Sequence, residues 1–196
     1  MNNDIVWHNA SVLSQERNSQ KKHKSIVLWY TGLSGSGKST IANAVDRILY
    51  EKGYHTYILD GDNIRHGLSK DLDFSHEGRK ENIRRVSEVA KLFVDAGIIV
   101  SAVLISPFIS DRTQARQLLG DNFIEVFIDT NLLECEKRDS KGLYKKVRNG
   151  DIANFTCISS PYEKPKNPEI HISTKNRTIE ECAKKITYYL LANGKI

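Results

Sequence analysis

Little in this chain could staple or anchor it. Of its 196 residues only three are cysteines, Cys135, Cys157 and Cys182. Their count is odd and their spacing gives neither C-x-x-C nor a zinc pattern. That excludes a disulfide scaffold and reads as free thiols in a reducing compartment. No stretch approaches the ~20 consecutive apolar residues of a membrane span, and the first thirty residues hold no apolar signal segment. A cytoplasmic location with no membrane partner is therefore expected, and the N-x-S/T triplets at Asn9, Asn154 and Asn176 read as chance. There is also no continuous basic arm. Net charge is +5, but Lys21, Lys22, Lys24, Arg79, Arg84, Arg85, Lys141, Lys145, Lys146 and Arg148 are scattered. An anionic small molecule fits that balance better than nucleic acid does. Repeats and low-complexity tracts are absent too.

What is present suits one soluble domain. Residues 1–24 are mostly polar and read as a leader or mobile arm, with the domain at 25–196. Short apolar runs at 25–31, 55–59, 98–105, 123–128 and 169–173 predict five strands, those at 25–31 and 98–105 buried. Between them, helical spacing predicts helices over 39–52, 80–96 and 112–119, the first two stopped by Gly53 and Gly97. Thr178-x-x-Glu181 is a capping box that opens a last helix. Alternating strands and helices imply an α/β fold, a five-stranded parallel sheet covered on both faces. Three of the four prolines (Pro161, Pro165, Pro168) fall in 139–168, which reads as a long mobile lid.

Gly32-Leu33-Ser34-Gly35-Ser36-Gly37-Lys38-Ser39 matches G-x-x-x-x-G-K-[ST] between a buried strand and a helix, the context a phosphate-binding loop requires. Glycines turn backbone N–H groups inward, and the helix adds its positive end. Lys38 is expected to reach the β- and γ-phosphates of ATP, and Ser39 to hold Mg²⁺. The strand at 98–105 ends in Ile105-Ser106-Pro107 without the usual acid, and no N-K-x-D follows. The carboxylates must come from elsewhere, and Asp60 and Asp62 at the end of 55–59 lie at the same sheet edge. Asp62 is read as the group that orients the acceptor hydroxyl and takes its proton. Asp60 is read as supporting the metal through water. Arg79, Asn82, Arg84 and Arg85 cluster at one helix start, where arginine forks suit phosphate or sulfate. Phe74 is open between core and stacking platform.

Six segments in order, "GLSGSGKST", "DGDNIRHGL", "RKENIRRVSEVAKLF", "ISPF..DR..AR", "KGLYKK" and "NFT.I..PYE.P", resemble the adenylylsulfate kinase family. The leader "DIVWH" and Arg17 are similar as well, so the likeness runs over about residues 5–190. It implies a P-loop kinase that moves the ATP γ-phosphoryl group to the 3′-hydroxyl of adenosine 5′-phosphosulfate, in sulfate activation. It also implies a homodimer. The nucleotide would lie on Gly32 through Thr40 with Arg138 against its adenine. The acceptor would lie on Asp62, Arg65, Phe74, Arg79, Asn82, Ile83, Ile105 and Ser106, with Lys141, Asn154 and Phe155 closing over it. Ser106 matches a serine the family pattern marks as a phosphoserine intermediate. In-line transfer needs no covalent stop, and nothing nearby activates this serine. The chain departs from the family pattern at Asp73 (commonly glycine), Gly78 (commonly aspartate), Ser140 (proline) and Cys157 (glycine). Other readings are a gluconate, shikimate or nucleoside kinase, a nucleic-acid-binding protein switched by ATP, and a non-catalytic homologue. Intact Lys38, Ser39 and Asp62 argue against the last.

Overall fold

The computed structural model describes residues 5, 6 and 8–196. Asp4 and Trp7 of the leader motif lie outside them. The elements run α1 (Ser14–Lys21), β1 (Val27–Thr31), α2 (Lys38–Glu51), β2 (Thr56–Asp60), α3 (Gly61–His66), α4 (His76–Asp95), β3 (Ile99–Val103), α5 (Ile109–Leu119), β4 (Phe123–Asp129), α6 (Leu132–Arg138), α7 (Leu143–Arg148), β5 (Ile170–Ser173) and α8 (Ile179–Ala192). The strands form one parallel sheet in the order β2-β3-β1-β4-β5. This is the three-layer P-loop kinase architecture. β1 and β3 bury every residue, because helices cover both sheet faces.

Alternation along β1 feeds two cores. Leu28 and Tyr30 pack with Ile41, Val45 and Leu49 of α2 and with Ala183, Ile186 and Leu190 of α8. Val27 and Trp29 pack with Ile83, Val86 and Ala90 of α4 and with Ala115 and Leu119 of α5. The chain leaves β1 toward β2 and β3 on one side, then returns to β4 on the other. That places the topological switch, and the crevice it makes, at the carboxyl end of β1.

Two segments hold more structure than their composition suggests. Part of the polar leader folds as α1, whose Arg17 donates to Asp95 Oδ2 at 3.0 Å at the end of α4. The stretch 139–168 contains α7. Its Tyr144, Val147 and Phe155 form an apolar cluster with Leu33 of the loop after β1 and Cys135 of α6, with Tyr144 meeting Phe155 edge to face at 5.0 Å. No helix among the described residues is long and apolar enough to cross a membrane.

Candidate active site

The loop after β1 is a cradle of backbone. A Cβ on Gly32 would stand 2.6 Å from the Ile128 carbonyl, and one on Gly35 3.0 Å from that of Cys135. The loop therefore lies against β4 and α6 more closely than any side chain permits. Thr130 Oγ1, just after β4, anchors it by donating to Ser36 O at 3.0 Å. Gly32 and the buried Leu33 form its base. Ser34 through Thr40 line a cavity of about 920 Å³. The buried Ser36 Oγ has no partner among the described residues. An anion with acceptor oxygens fits that cradle.

Lys38 lies beneath, donating to Gly32 O at 3.0 Å and Leu33 O at 2.7 Å. Burial pushes its ammonium down to about 8, only partly opposed by nearby charges. Ser39 Oγ donates to Asp60 Oδ2 at 2.8 Å, while Asp60 Oδ1 caps α3 through the Asp62 N–H at 3.0 Å. One carboxylate thus fixes both the loop hydroxyl and the helix that carries Asp62. Among the described residues no cluster of three His, Cys, Asp or Glu could hold a metal by itself. Ser39 and Asp60 suit Mg²⁺, which keeps waters and takes most of its protein grip from one or two oxygens beside substrate phosphates.

The far end of the cavity is lined by Arg138, Thr174, Arg177, Thr178, Ile179 and Cys182. Arg138 is held by Glu134 at 3.0 Å. The residues from β5 onward were not anticipated. The rule that ligands lie beyond the carboxyl ends of parallel strands was the available signal, since β5 ends there.

A second, smaller pocket opens beside the phosphate loop. Asp62, Arg65, Phe74, Arg79, Asn82, Ile83, Ile105 and Ser106 line it, together with Gly61, Leu104 and Pro107. Phe74 is 59% exposed, so it is not core. The Arg65 guanidinium stands 4.4 Å from its ring centroid and that of Arg79 5.7 Å. Asn82 is 4% exposed, and its Oδ1 has no partner among the described residues. A ligand donor or a water must complete it. Arg84 and Arg85, by contrast, are tied to Glu81 and Asp71 away from the pocket.

The lid reaches two charged residues of this pocket, Arg79 and Asp62. Arg79 donates to Asn154 O at 2.8 Å and Thr156 Oγ1 at 3.2 Å. Lys141 pairs with Asp62, both side chains about 60% exposed. Phe155 lines the larger cavity from within the lid's apolar cluster.

Ser106 is 2% exposed, and its Oγ accepts the Trp29 indole N–H at 3.1 Å. Its φ is 44°, a left-handed backbone that a non-glycine residue adopts only when held. Arg112 holds it, donating to Ser106 O, to Glu125 Oε1 at 2.8 Å and to Glu163 O at 2.7 Å. The hydroxyl is occupied and sheltered. That is the geometry of a wall.

A phosphate cradle with a buried lysine, facing a basic pocket with an aspartate at the shared edge, defines a P-loop kinase of a small anionic acceptor. The profile of the Adenylylsulphate kinase family matches residues 24–173. The chain is 61% identical over 189 residues to a probable adenylyl-sulfate kinase of Halalkalibacterium halodurans, covering 96% of this chain and 94% of that protein. It is 59% identical over 187 residues to the adenylyl-sulfate kinase of Clostridium acetobutylicum, covering 95% and 94%. Its fold is similar to that of the Mycobacterium tuberculosis APS kinase CysC, solved in complex with AMPPNP and APS. That match has a TM-score of 0.83 at 49% identity, covering 86% of this chain and 99% of that one. The chain belongs to the adenylylsulfate kinase family.

Proposed function

We propose that the two cavities are the donor and acceptor halves of one reaction. In it ATP and adenosine 5′-phosphosulfate become ADP and 3′-phosphoadenylylsulfate. The observation that carries this is their shared wall. Gly61, Asp62, Phe74, Arg79, Leu104 and Ile105 line both, so a γ-phosphate on the loop and a hydroxyl in the pocket meet at Asp62.

Lys38 leaves the loop carbonyls for the phosphates and spreads charge from the transferring group. Asp62 exchanges Lys141 for the 3′-hydroxyl, aligns its oxygen on phosphorus and takes its proton as the O–P bond forms. The bond to the β-phosphate oxygen breaks, and ADP leaves with that electron pair. Arg65 and Arg79 hold the phosphosulfate, Phe74 stacks on the acceptor base and Asn82 Oδ1 accepts from it. Lys141, Asn154 and Phe155 exclude water, which would otherwise be phosphorylated. Ser106 and Ile105 shape the wall without a covalent step. Arg138 lies against the ATP adenine. Mg²⁺ held by Ser39, and by Asp60 through water, would neutralise the β- and γ-oxygens. The working molecule is proposed to be a homodimer in the cytoplasm, where three free cysteines are at home.

The test mixes purified protein, Mg-ATP and adenylylsulfate, and follows ADP release and product mass. Gluconate, shikimate and adenosine serve as rival acceptors, and Lys38→Ala as the inactive control. ADP release with a product heavier by one phosphoryl group, specific to adenylylsulfate, supports the reading. Turnover with a rival acceptor and none with adenylylsulfate overturns it.

A further inference from the structure

Gly78 is out of place by ordinary helix rules. It is the third residue of α4, after the N-cap Ser75, whose Oγ accepts the Gly78 N–H at 3.1 Å. That third position is where an acidic side chain usually answers a serine cap and complements the helix dipole. Glycine there weakens a helix, and its backbone is not in the left-handed region that would call for it. The reason is space. A Cβ on Gly78 would stand 2.4 Å from Asp73 Oδ1 and 2.6 Å from Asp73 O.

Asp73 supplies what the third position lacks. Its Oδ1 accepts the Ser75 N–H at 3.1 Å and the Ser75 hydroxyl at 2.5 Å. The hydroxyl's single proton is thereby turned to Asp73, which leaves a lone pair for Gly78 N–H. The Ser75 hydroxyl and N–H hold the Asp73 carboxyl below the usual carboxylate range. Between Asp73 and Ser75 lies Phe74. Its backbone is pinned from both sides: Arg65 donates to Leu72 O and Asp73 O at 3.0 Å each, and Arg79 Nε to Phe74 O at 2.8 Å. The carboxylate, the cap, the aromatic ring and both arginines form one connected turn at the acceptor pocket.

We propose that Asp73 and Gly78 are a coupled pair of positioning residues that set acceptor affinity. In this chain the capping carboxylate comes from before the cap, and the helix gives up a side chain to admit it. The reverse arrangement would place the aspartate inside the helix at position 78 and the glycine before the cap at position 73, which removes the clash between Asp73 and a Cβ on residue 78. Either arrangement presents Phe74, Arg65 and Arg79 correctly, and a mixture of the two does not. The proposal rests on the pocket being the adenylylsulfate site.

A four-protein cycle tests it: the parent, Asp73→Gly, Gly78→Asp, and the double exchange. Each single change is expected to raise KM for adenylylsulfate about tenfold while kcat and KM for Mg-ATP move less than about twofold. The double exchange is expected to return within about threefold of the parent. Asp73→Asn, which keeps the accepting oxygen, is expected to behave like the parent, and Asp73→Ala like Asp73→Gly. That comparison decides the matter if Gly78→Asp does not fold. Effects that simply multiply in the double exchange, or equal losses toward both substrates, overturn the proposal. Unliganded thermal midpoints of the same proteins read the coupling without substrate. A parent inactive on adenylylsulfate would refute the assigned function while those midpoints still test the pair.

Discussion

The two halves of the active site are built by different means. The donor half is backbone: a loop wedged against β4 and α6, anchored by Thr130, with Lys38 sealed beneath it. The acceptor half is side chains drawn from α3, the 72–75 turn, α4, the loop after β3, and the lid. Asp62 and Lys141 are exposed and paired with one another, while Arg65 and Arg79 are half-buried and donate to backbone carbonyls. A backbone site needs one contiguous motif and tolerates few residue types. A side-chain site needs distant residues to be held, and its holders lie one layer back. Arg112 is the clearest of them, a guanidinium 4% exposed that joins β4, the acceptor wall and the base of the lid.

The largest expected effect breaks the acceptor half without touching it. Arg112→Ala leaves Glu125 with only the longer contact to Arg116 at 3.6 Å and releases the left-handed Ser106. Removing one member of a buried pair costs about 3 kcal/mol or more, to be read by denaturant unfolding. The enzyme that still folds is expected to lose affinity for adenylylsulfate far more than for Mg-ATP. Equal losses for both would mean that Arg112 supports the whole sheet edge, and the two halves would not be separable in this way.

The same contrast explains what the sequence could reveal. The phosphate loop was readable because its chemistry is contiguous, and the Thr178–Glu181 capping box because both partners lie within one turn. α3 was not, since Asp60-Gly61 also reads as a turn and only the sheet edge turns it into a cap. α1 looked like an arm because its docking rests on Arg17 reaching Asp95, 78 residues away. Without the resemblance Phe74 stayed undecided between core and platform, because its environment is two arginines from different elements. Thr174, Arg177, Ile179 and Cys182 join the cavity only through the strand order that sets β5 beside β4. Local signals carry local structure, and a wall assembled by topology has none.

A pH series sharpens the donor side. In the empty site Lys38 titrates near 8, and bound phosphates favour its charged form, so its pKa is higher in the complex. Below pH 8 the lysine is already protonated and affinity for Mg-ATP is full. Above it, binding must take up a proton, and affinity falls by up to about tenfold per pH unit, ~1.4 kcal/mol, until the pKa of the complex is reached. Calorimetry in buffers of different ionisation enthalpy checks the proton uptake directly. A flat Mg-ATP affinity from pH 7 to 9.5 would mean that Lys38 stays charged beneath its two carbonyls.

The smallest expected effect lies in the lid between the two halves. Cys157 has φ 70°, and its N–H donates to Ser160 O at 2.6 Å, so the turn fixes the left-handed backbone whatever the side chain. Such a conformation costs a residue with a Cβ about 1 kcal/mol or more, and glycine essentially nothing. Against this, the thiol packs on the cluster of Tyr144 and Phe155, and glycine has more unfolded-chain entropy to lose, roughly 0.5–1 kcal/mol. Strain and contact nearly balance, with strain slightly ahead. Cys157→Gly is therefore expected to raise the thermal midpoint by about 1–2 °C, with turnover unchanged. Burial pushes the Cys157 thiol up, against the opposing charge of Lys164, and so disfavours its thiolate. A lowered midpoint would show that the sulfur's contact with the lid cluster outweighs the backbone it strains. The lid's small core, rather than its turn, would then set how firmly it closes over the acceptor.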